Sequence, residues 1–470
     1  MSQNAQSTPA GLLARVETMP LSRWHWTILV ICGVGLLFDN LDSGILSAAL
    51  PLLAQEWKLT PLDLGLISSA TTVGMLVGAL VLGVLADRIG RRALMQINIL
   101  LFAVFTGLSA LAQDYNQLCI ARFLAGLGLG GLIPVDTAFL SEYVPSKWRG
   151  RFMAFNQAFQ GQGMTLAYAV GFLVTVPYGW RWAFAVGIIP AFLVFFIRRG
   201  LPESVRHLIR QGRLDEAEKT VRHIESIVLR NKQREVAPDP SKIMVSAAPE
   251  KMSLGLLLQP GVLRATLVIM LVWFVAWATM LNVWLPLLMT GELNFPLTRS
   301  LQFLTIAAGV SIVGSLFAGP ICDLWGRKIS LIISMVLMAL TQIGMFSFAR
   351  NETTFMALLI VNQIGINLVY GSLHPYATEQ FPTAVRATGM GVASSVGRLG
   401  AIVGPAYVGW VYGTWGIMPV VYINALVMGL TIVVIAIFGR ETKQQTLEQI
   451  TNSQMGGPTA PATPGILPTS

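Results

Sequence analysis

Long apolar stretches constrain this chain more than any other feature of its sequence. Residues 24–53, 62–86 and 417–438 are typical, and each can supply the ~20 helical residues that cross ~30 Å of hydrocarbon. Hydrophobic residues make up 54% of the chain and charged residues 12%, whereas about a quarter of a soluble domain is charged. A soluble fold could not bury so much apolar surface. We count twelve such stretches and predict an all-α integral membrane protein with twelve transmembrane helices.

Positive residues cluster in alternate loops between these stretches. The formal net charge is +9, and basic clusters occur at 88–92, 147–151 and 327–328, with few lysines or arginines in the intervening loops. By the positive-inside rule, this alternation places both termini in the cytoplasm. The basic excess is therefore a topology signal, and we expect no nucleic-acid partner.

Two unrelated motifs occur twice, and the offset between the copies is nearly the same for both. The sequence GVLADRIGRR at 83–92 returns as GPICDLWGRK at 319–328. The sequence SEYVPSKWR at 141–149 returns as TEQFPTAVR at 378–386. Such repetition predicts two pseudo-symmetric six-helix bundles of the same topology, related by an axis along the membrane normal.

A long polar segment separates the two predicted bundles. Residues 203–229 within it have a charged, helical pattern that predicts one or two surface helices. The expected organisation is a cytoplasmic N-terminal segment at 1–23, the first bundle at 24–198, a cytoplasmic helical linker at 199–260, the second bundle at 261–439, and a cytoplasmic, largely disordered tail at 440–470.

These motifs resemble those of the major facilitator superfamily. The loop at 83–92 is similar to its signature, and RFLAGLGLGG at 122–131 resembles its sugar-porter branch. The bacterial niacin permease (NiaP) family is similar over further stretches: 35–47, 283–286, 378–389, 397–400 and 439–443. The resemblance implies a secondary transporter without a cofactor, working by alternating access as a monomer among the lipids of a bacterial inner membrane.

The duplicated loops are predicted to form a cytoplasmic gate. Their arginines can reach acceptors on neighbouring helices only when the inner face is closed, although some could simply be solvated charges. The resemblance implies that Glu142 and Glu379 belong to this gate, and that Glu203 does so through the motif PESVR. The predicted gate residues are Asp87, Arg88, Arg91, Glu142, Arg149, Asp323, Arg327, Glu379 and Arg386.

Two acids in the first helix are candidates for proton coupling. Asp39 and Asp42 are three residues apart, which places both carboxyl groups on one helix face. Ionisable groups within a membrane are costly unless paired, and two close carboxyl groups favour reversible proton uptake. Arg122 in the fourth helix could pair with Asp42, as the sugar-porter resemblance also implies. The alternative is a permanent structural pair. Asp136 has no role that the sequence assigns.

Polar side chains in the second half are candidates for binding substrate. Arg398 lies near the middle of the eleventh helix with no acid nearby in the sequence, and its planar fork suits a carboxylate. A structural pair with Asp39 or Asp42 is the alternative. His374, which could be only a helix contact, stands where the niacin permeases suggest tyrosine. The remaining candidates are Gln363, Asn367, Tyr370, Asn156, Gln160, Trp277 and Asn282.

No nucleophile, metal or phosphate-loop constellation is present that would indicate an enzyme or an ATP-driven pump. The leading hypothesis is proton-coupled import of a small, anionic aromatic or heteroaromatic carboxylate such as nicotinate. One alternative is a carrier for another solute class: a catabolic aromatic acid, a sugar-like polyol or an exported drug. The other is a membrane sensor that transports nothing.

Overall fold

The computed structural model describes residues 8–229, 254–349, 351–381 and 385–441, and in this part every regular element is helical. Seven helices are long and apolar enough to cross a membrane, and three shorter ones are also apolar. The other two long helices, Ser146–Val170 and Arg386–Trp415, carry more polar side chains. The helices match the twelve predicted spans, and the all-α membrane fold is confirmed.

The helices are numbered along the chain. The first group consists of α1 Pro9–Glu17, α2 Arg23–Trp57, α3 Pro61–Ile89, α4 Arg91–Ser109, α5 Tyr115–Tyr143, α6 Ser146–Val170, a π-helical turn Gly171–Thr175, α7 Val176–Tyr178, α8 Trp180–Val186, a 3-10 turn Ile189–Phe192, α9 Leu193–Gly200, α10 Val205–Arg210 and α11 Leu214–Val228. The second group consists of α12 Leu254–Leu257, α13 Pro260–Ala278, α14 Leu285–Gly291, α15 Leu297–Trp325, α16 Arg327–Ser347, α17 Glu352–Gln380, α18 Arg386–Trp415 and α19 Ile417–Phe438.

The chain forms two compact units. The first contains the residues up to Pro249 together with Met280–Ile312 and Ile402–Ile417. Within it α2 packs along α6, while α3 and α4 pack along α5. Glycines allow α3 and α5 to approach closely, because a side chain at Gly126 or Gly130 would collide with the opposite backbone. The GLGLGG run of α5 thus sets the spacing of this unit.

The N-terminal segment contains a helix, α1, that the sequence pattern did not predict. Thr8 caps it, with its hydroxyl accepting from the Gly11 N–H at 3.2 Å. The side chains of Leu12 and Val16 are buried in the hydrophobic core that also receives α11. Arg15 binds Glu225 of α11 through two hydrogen bonds, of 3.0 and 2.5 Å. The hydrogen bonds to Glu225 raise the pKa of the Arg15 guanidinium.

The helices α10 and α11 confirm the expectation of surface helices at 203–229. One face of α11 is buried at four positions with helical spacing, and the opposite face is charged. The buried positions are Ala217, Val221, Ile224 and Val228. The rest of the predicted linker, at 230–253, and the predicted tail at 442–470 lie outside the described residues.

The apolar stretch 262–289 is long enough for one membrane helix, but the structure interrupts it. Helix α13 ends at Ala278 and α14 begins at Leu285. The interruption leaves carbonyl groups without helical donors, and side chains supply donors instead. The Ser47 hydroxyl donates to the carbonyls of Asn282 and Val283 at 3.2 and 2.9 Å. An average over apolar residues cannot detect such a break, because side chains elsewhere compensate for it.

The second unit contains Glu250–Thr279, Val313–Ala401 and the residues from Met418 onward. Helices α16 and α17 pack tightly against each other, and buried amides join them. The Asn362 amide, for example, donates to Thr341 Oγ1 at 2.8 Å. Helix α18 approaches α13 closely at Gly400, which faces the backbone of Phe274. This unit therefore presents α13, α17 and α18 as neighbours.

Candidate functional site

A buried ion pair joins α2 and α5 in the first unit. The side chains of Asp42 and Arg122 are both 0% exposed. Arg122 donates through Nη1 to Asp42 Oδ1 at 3.0 Å and through Nη2 to Asp42 Oδ2. Thr106 of α4 also donates to Asp42 Oδ1 at 3.0 Å, and Thr71 of α3 accepts from Arg122 Nε at 3.3 Å. The structure thus brings together two of the three predicted proton-coupling residues.

Asp39, the third predicted proton-coupling residue, lies one turn from Asp42 on α2 and is 5% exposed. Electrostatic interaction connects it with Asp136 of α5. Asp42 is held by donors, whereas the two oxygens of Asp136 have no hydrogen-bond partner within the described part of the chain. Asp39 and Asp42, the two predicted carboxyl groups, are therefore both buried but have different neighbours: Asp136 acts on Asp39, and Arg122 binds Asp42.

An aromatic cluster forms in the second unit between α13 and α17. Trp277 lies 5.3 Å from Tyr370, measured between ring centroids, and Trp273 lies 5.0 Å from His374 in an edge-on arrangement. The Nδ1 atom of His374 also lies 3.2 Å from the carbonyl oxygen of Tyr370. These contacts bring together three predicted substrate-binding residues.

Helix α18 meets the same cluster at Gly397, the residue before Arg398. A Cβ at Gly397 would lie 2.9 Å from Trp273 Cε3 and 3.0 Å from Trp277 Cδ1. Trp273 shares a helix face with Trp277, four residues further along α13, and the sequence groups both with an aromatic-lined pocket. The indole N–H of Trp273 is buried without a described partner.

The other predicted substrate residues differ in their surroundings. On α17, Gln363 is buried and its carbonyl oxygen accepts from Asn367 Nδ2 at 2.9 Å. In the first unit, the amide of Asn156 is buried without a described partner, and Asn282 lies at the helix break with its carbonyl bound by Ser47. The Gln160 side chain lies outside the described residues.

The predicted gate motif of the first unit centres on the start of α4. Arg91 forms a salt bridge of 2.6 Å with Glu142. Glu203 accepts hydrogen bonds from the backbone N–H groups of Arg91 and Arg92, at 2.9 and 3.2 Å, and so caps the helix. Gly90 makes room for this acid, since its φ is +97° and a Cβ there would lie 2.5 Å from Glu203 Oε2.

The second unit repeats this arrangement at the start of α16. Arg327 Nε lies 3.2 Å from Glu379 Oε1. Glu441 caps α16, accepting from the N–H groups of Arg327 and Lys328 at 3.0 and 3.2 Å. Gly326 again has a φ of +97° and leaves the space for the acid. Glu441 follows Glu203 at nearly the same offset as the other repeated motifs, so that offset was the signal that could have identified it as the counterpart of Glu203.

The remaining predicted gate residues either have other contacts or have side chains outside the part of the chain that the structure describes. Arg149 forms a 2.9 Å salt bridge with Glu17 of α1. Arg386 donates to the carbonyl oxygen of Thr378 at 3.0 Å, while the carbonyl of Arg88 accepts from the Gln211 amide at 2.9 Å. The side chains of two further predicted gate residues, Asp87 and Asp323, lie outside the described residues.

Comparisons with known proteins agree with this architecture. The profile of the family described as "Sugar (and other) transporter" matches residues 28–453. The chain is 33% identical to the niacin transporter NiaP of Acinetobacter baylyi, over 93% of the chain and 99% of that protein. It is 30% identical to the benzoate transport protein of the same organism, over 84% of the chain and 85% of that protein.

A solved structure shows the same fold. The inward-open xylose transporter XylE of E. coli superimposes with a TM-score of 0.73 at 20% identity, covering 91% of the chain and 99% of XylE. The twelve predicted spans therefore adopt the major facilitator arrangement.

Proposed function

Because the chain belongs to the sugar (and other) transporter family of the major facilitator superfamily, we propose that it is a secondary active transporter that imports a small aromatic or heteroaromatic carboxylate, such as nicotinate, together with protons. Alternating access about a central site is the expected mechanism for two repeated halves. Two relatives support this substrate class, since niacin and benzoate are both flat rings with one carboxylate.

The observation that carries the substrate proposal is the aromatic cluster of the second unit. Trp277 and Tyr370 offer ring faces on which a flat heterocycle can stack. Arg398 follows Gly397, which packs on Trp273 and Trp277, so a cationic residue lies next to the cluster in the chain. A guanidinium binds a carboxylate through two parallel N–H donors. The combination suits an aromatic acid better than a neutral sugar.

The proton proposal is supported by the buried pair of Asp42 and Arg122. A pair that is fully buried between two membrane helices is costly to separate while both groups are charged. Protonation of a carboxyl group in the first unit removes a negative charge and so lowers that cost. The paired gate motifs of the two units, centred on Arg91 and Arg327, suit a cycle in which the inner face opens and closes.

A benzoate-like substrate is the second candidate, favoured by the 30% identity to the benzoate transport protein. It would use the same cluster and the same arginine. The two candidates differ at the ring, because a pyridine nitrogen can accept a hydrogen bond and a benzene carbon cannot. The indole N–H of Trp273 is a buried donor that can distinguish the two rings.

The proposed setting is a bacterial cytoplasmic membrane, with the transporter monomeric and both termini in the cytoplasm. The positive-inside pattern supports this orientation, since the basic starts of α4 and α16 share one side of the topology.

The test of coupling is uptake of labelled nicotinate into proteoliposomes with and without an inward proton gradient.

The test of the binding residue is a variant. Replacing Arg398 with Ala should raise the Kd for nicotinate at least about 30-fold, because losing one partner of a buried charge pair costs about 2–5 kcal/mol. Nicotinamide, the neutral analogue, should bind both proteins equally. Arg213→Ala is the matched control, since Arg213 pairs with Glu216 on the exposed linker surface. Unchanged nicotinate binding in Arg398→Ala would refute the role of this residue, and uptake that ignores the gradient would refute coupling.

A further inference from the structure

Arg122 has a third kind of neighbour besides Asp42 and Thr71. Its guanidinium lies over the ring of Phe184, on α8, with 5.4 Å between Arg122 Cζ and the ring centroid. The Phe184 side chain is 0% exposed. A cation within ~6 Å of the centroid, over the face of an aromatic ring, has the geometry of a cation–π contact. The buried arginine is therefore contacted by α2, α3 and α8 together.

Packing holds the ring of Phe184 in place. Trp180, one turn earlier on α8, meets this ring edge-on, with 5.9 Å between the centroids and 83° between the planes. The Trp180 indole N–H donates to Glu56 Oε2 of α2 at 2.7 Å. Gly187, directly after α8, packs closely on α4, because a Cβ there would lie 2.2 Å from Thr106 Cγ2. Thr106 also donates to the aspartate of the ion pair, so α8 is fixed against the helices that surround the pair.

The carboxylate and the ring use different parts of the guanidinium. Its N–H groups bind Asp42 and Thr71 at the edge, whereas Phe184 contacts the face. A guanidinium stays charged at physiological pH, so protonation of Asp42 would leave a buried cation without its anion, which is costly. The attraction between the cation and the ring does not need the carboxylate, and it is strongest when no anion neutralises the guanidinium. Phe184 therefore stabilises the state with neutral Asp42 more than the paired state.

Other ionisable groups on the surrounding helices have to be separated from the effect of the ring. Helices α3 and α4 carry their described charged residues in the first or last turn: Asp63 and Arg88 of α3, and Arg91 and Arg92 of α4. Helix α14 has none. Helix α6 adds Tyr168 and the basic residues at its start. Those closest to the pair or the ring along the chain are Asp39 of α2, Cys119 of α5, and Arg181 of α8 with its partner Glu56. The variants compared below leave all of these groups in place.

We propose that Phe184 is a positioning residue for the proton step: its ring holds Arg122 when Asp42 takes up a proton. A hydronium ion from the outer solution gives its proton to an Asp42 oxygen and becomes water, and an O–H bond forms on that oxygen. The hydrogen bonds from Arg122 to the former carboxylate weaken, while the guanidinium keeps its own protons and its charge and stays on the ring. The inference rests on the proposed proton coupling, and it gives α8 a part in that step.

The direct test does not need a substrate. Asp42→Asn imitates the neutral acid, and mono-, di- and trifluorophenylalanine at position 184 withdraw electrons from the ring face with little change of shape. In the Asp42→Asn background, the midpoint of thermal unfolding should fall with each added fluorine, by about 2–4 °C over the series. With Asp42 intact, the fall should be clearly smaller. The same series at Phe102, which is equally buried in an apolar cluster of α4 and α5, is the matched control and should not depend on residue 42. Equal falls in the two backgrounds at position 184 would overturn the proposal.

The functional test is the pH profile of uptake, with nicotinate as the probe. A weaker ring disfavours neutral Asp42 beside charged Arg122, so more protons are needed to load the transporter. Trifluorophenylalanine at position 184 should therefore move half-maximal uptake to a lower external pH, by roughly half a unit. A purely structural defect would lower the maximal rate and leave the profile in place, and an unmoved profile would refute the role of Phe184. If the wild-type protein transports no nicotinate, the proposed function fails, while the unfolding comparison still decides whether the ring holds Arg122.

Discussion

The pair of Asp42 and Arg122 allows a quantitative test of how charge is held inside the first unit. Asp42→Ala removes the acceptor of both guanidinium hydrogen bonds and leaves Arg122 fully buried, with the Thr71 hydroxyl still accepting from its Nε at 3.3 Å. Breaking one side of a buried pair costs roughly 3–5 kcal/mol. Combining Asp42→Ala with Arg122→Leu removes the stranded charge, so the double variant should lose less stability than the single variant.

The assay is a double-mutant cycle measured by unfolding in detergent micelles. Arg181→Ala is the control, because Arg181 forms a comparable pair with Glu56 that is 43% and 41% exposed. An exposed pair of this kind contributes about 0–1 kcal/mol, so the control should differ little from the wild type. If the single-variant losses of Asp42→Ala and Arg122→Leu simply added in the double variant, the two charges would not be compensating each other. The reasoning would then be wrong.

Two further predictions concern the ends of helices. Glu203→Gln and Glu441→Gln should each destabilise the protein by about 1 kcal/mol, because each removes a negative charge from a helix N-terminus; a large loss for one and none for the other in thermal unfolding would contradict their equivalence. Arg15→Met should weaken the packing of α1 by about 1.5–3 kcal/mol, since it deletes two hydrogen bonds to the Glu225 carboxylate. Hydrogen exchange of α11 should then accelerate, and unchanged protection would contradict the contact.

Features that repeat in the sequence were the most predictable ones. The offset between the repeated motifs predicted that Asp323 corresponds to Asp87 and that the loops around them are alike. The structure has salt bridges at equivalent places in the two loops, Arg91–Glu142 and Arg327–Glu379. The role of Glu441 was not predicted, because the segment that corresponds to the one around Glu203 follows the last helix, where a polar sequence is typical of a tail. Its role depends on a fold that returns this segment to the start of α16.

Features that depend on contacts between distant residues were harder to predict. The break between α13 and α14 depends on Ser47, which lies in the first membrane helix, far earlier in the chain. Helix α1 is too short to be stable by propensity alone, and the apolar core it shares with α11 stabilises it. Asp136 was noticed without an account, because only the packing of Gly35 of α2 against it shows how closely the carboxyl group is enclosed.

The paired turns at Gly90 and Gly326 also show which positions are constrained in both repeated loops. Two independent reasons exclude a side chain at each turn. The backbone φ is positive, and a glutamate carboxylate occupies the place that a Cβ would take. The residue two positions before the glycine is Arg88 in the first half and Leu324 in the second, and both of these side chains are exposed. The buried turn position therefore holds glycine in both repeats, whereas the exposed position two residues earlier differs between them.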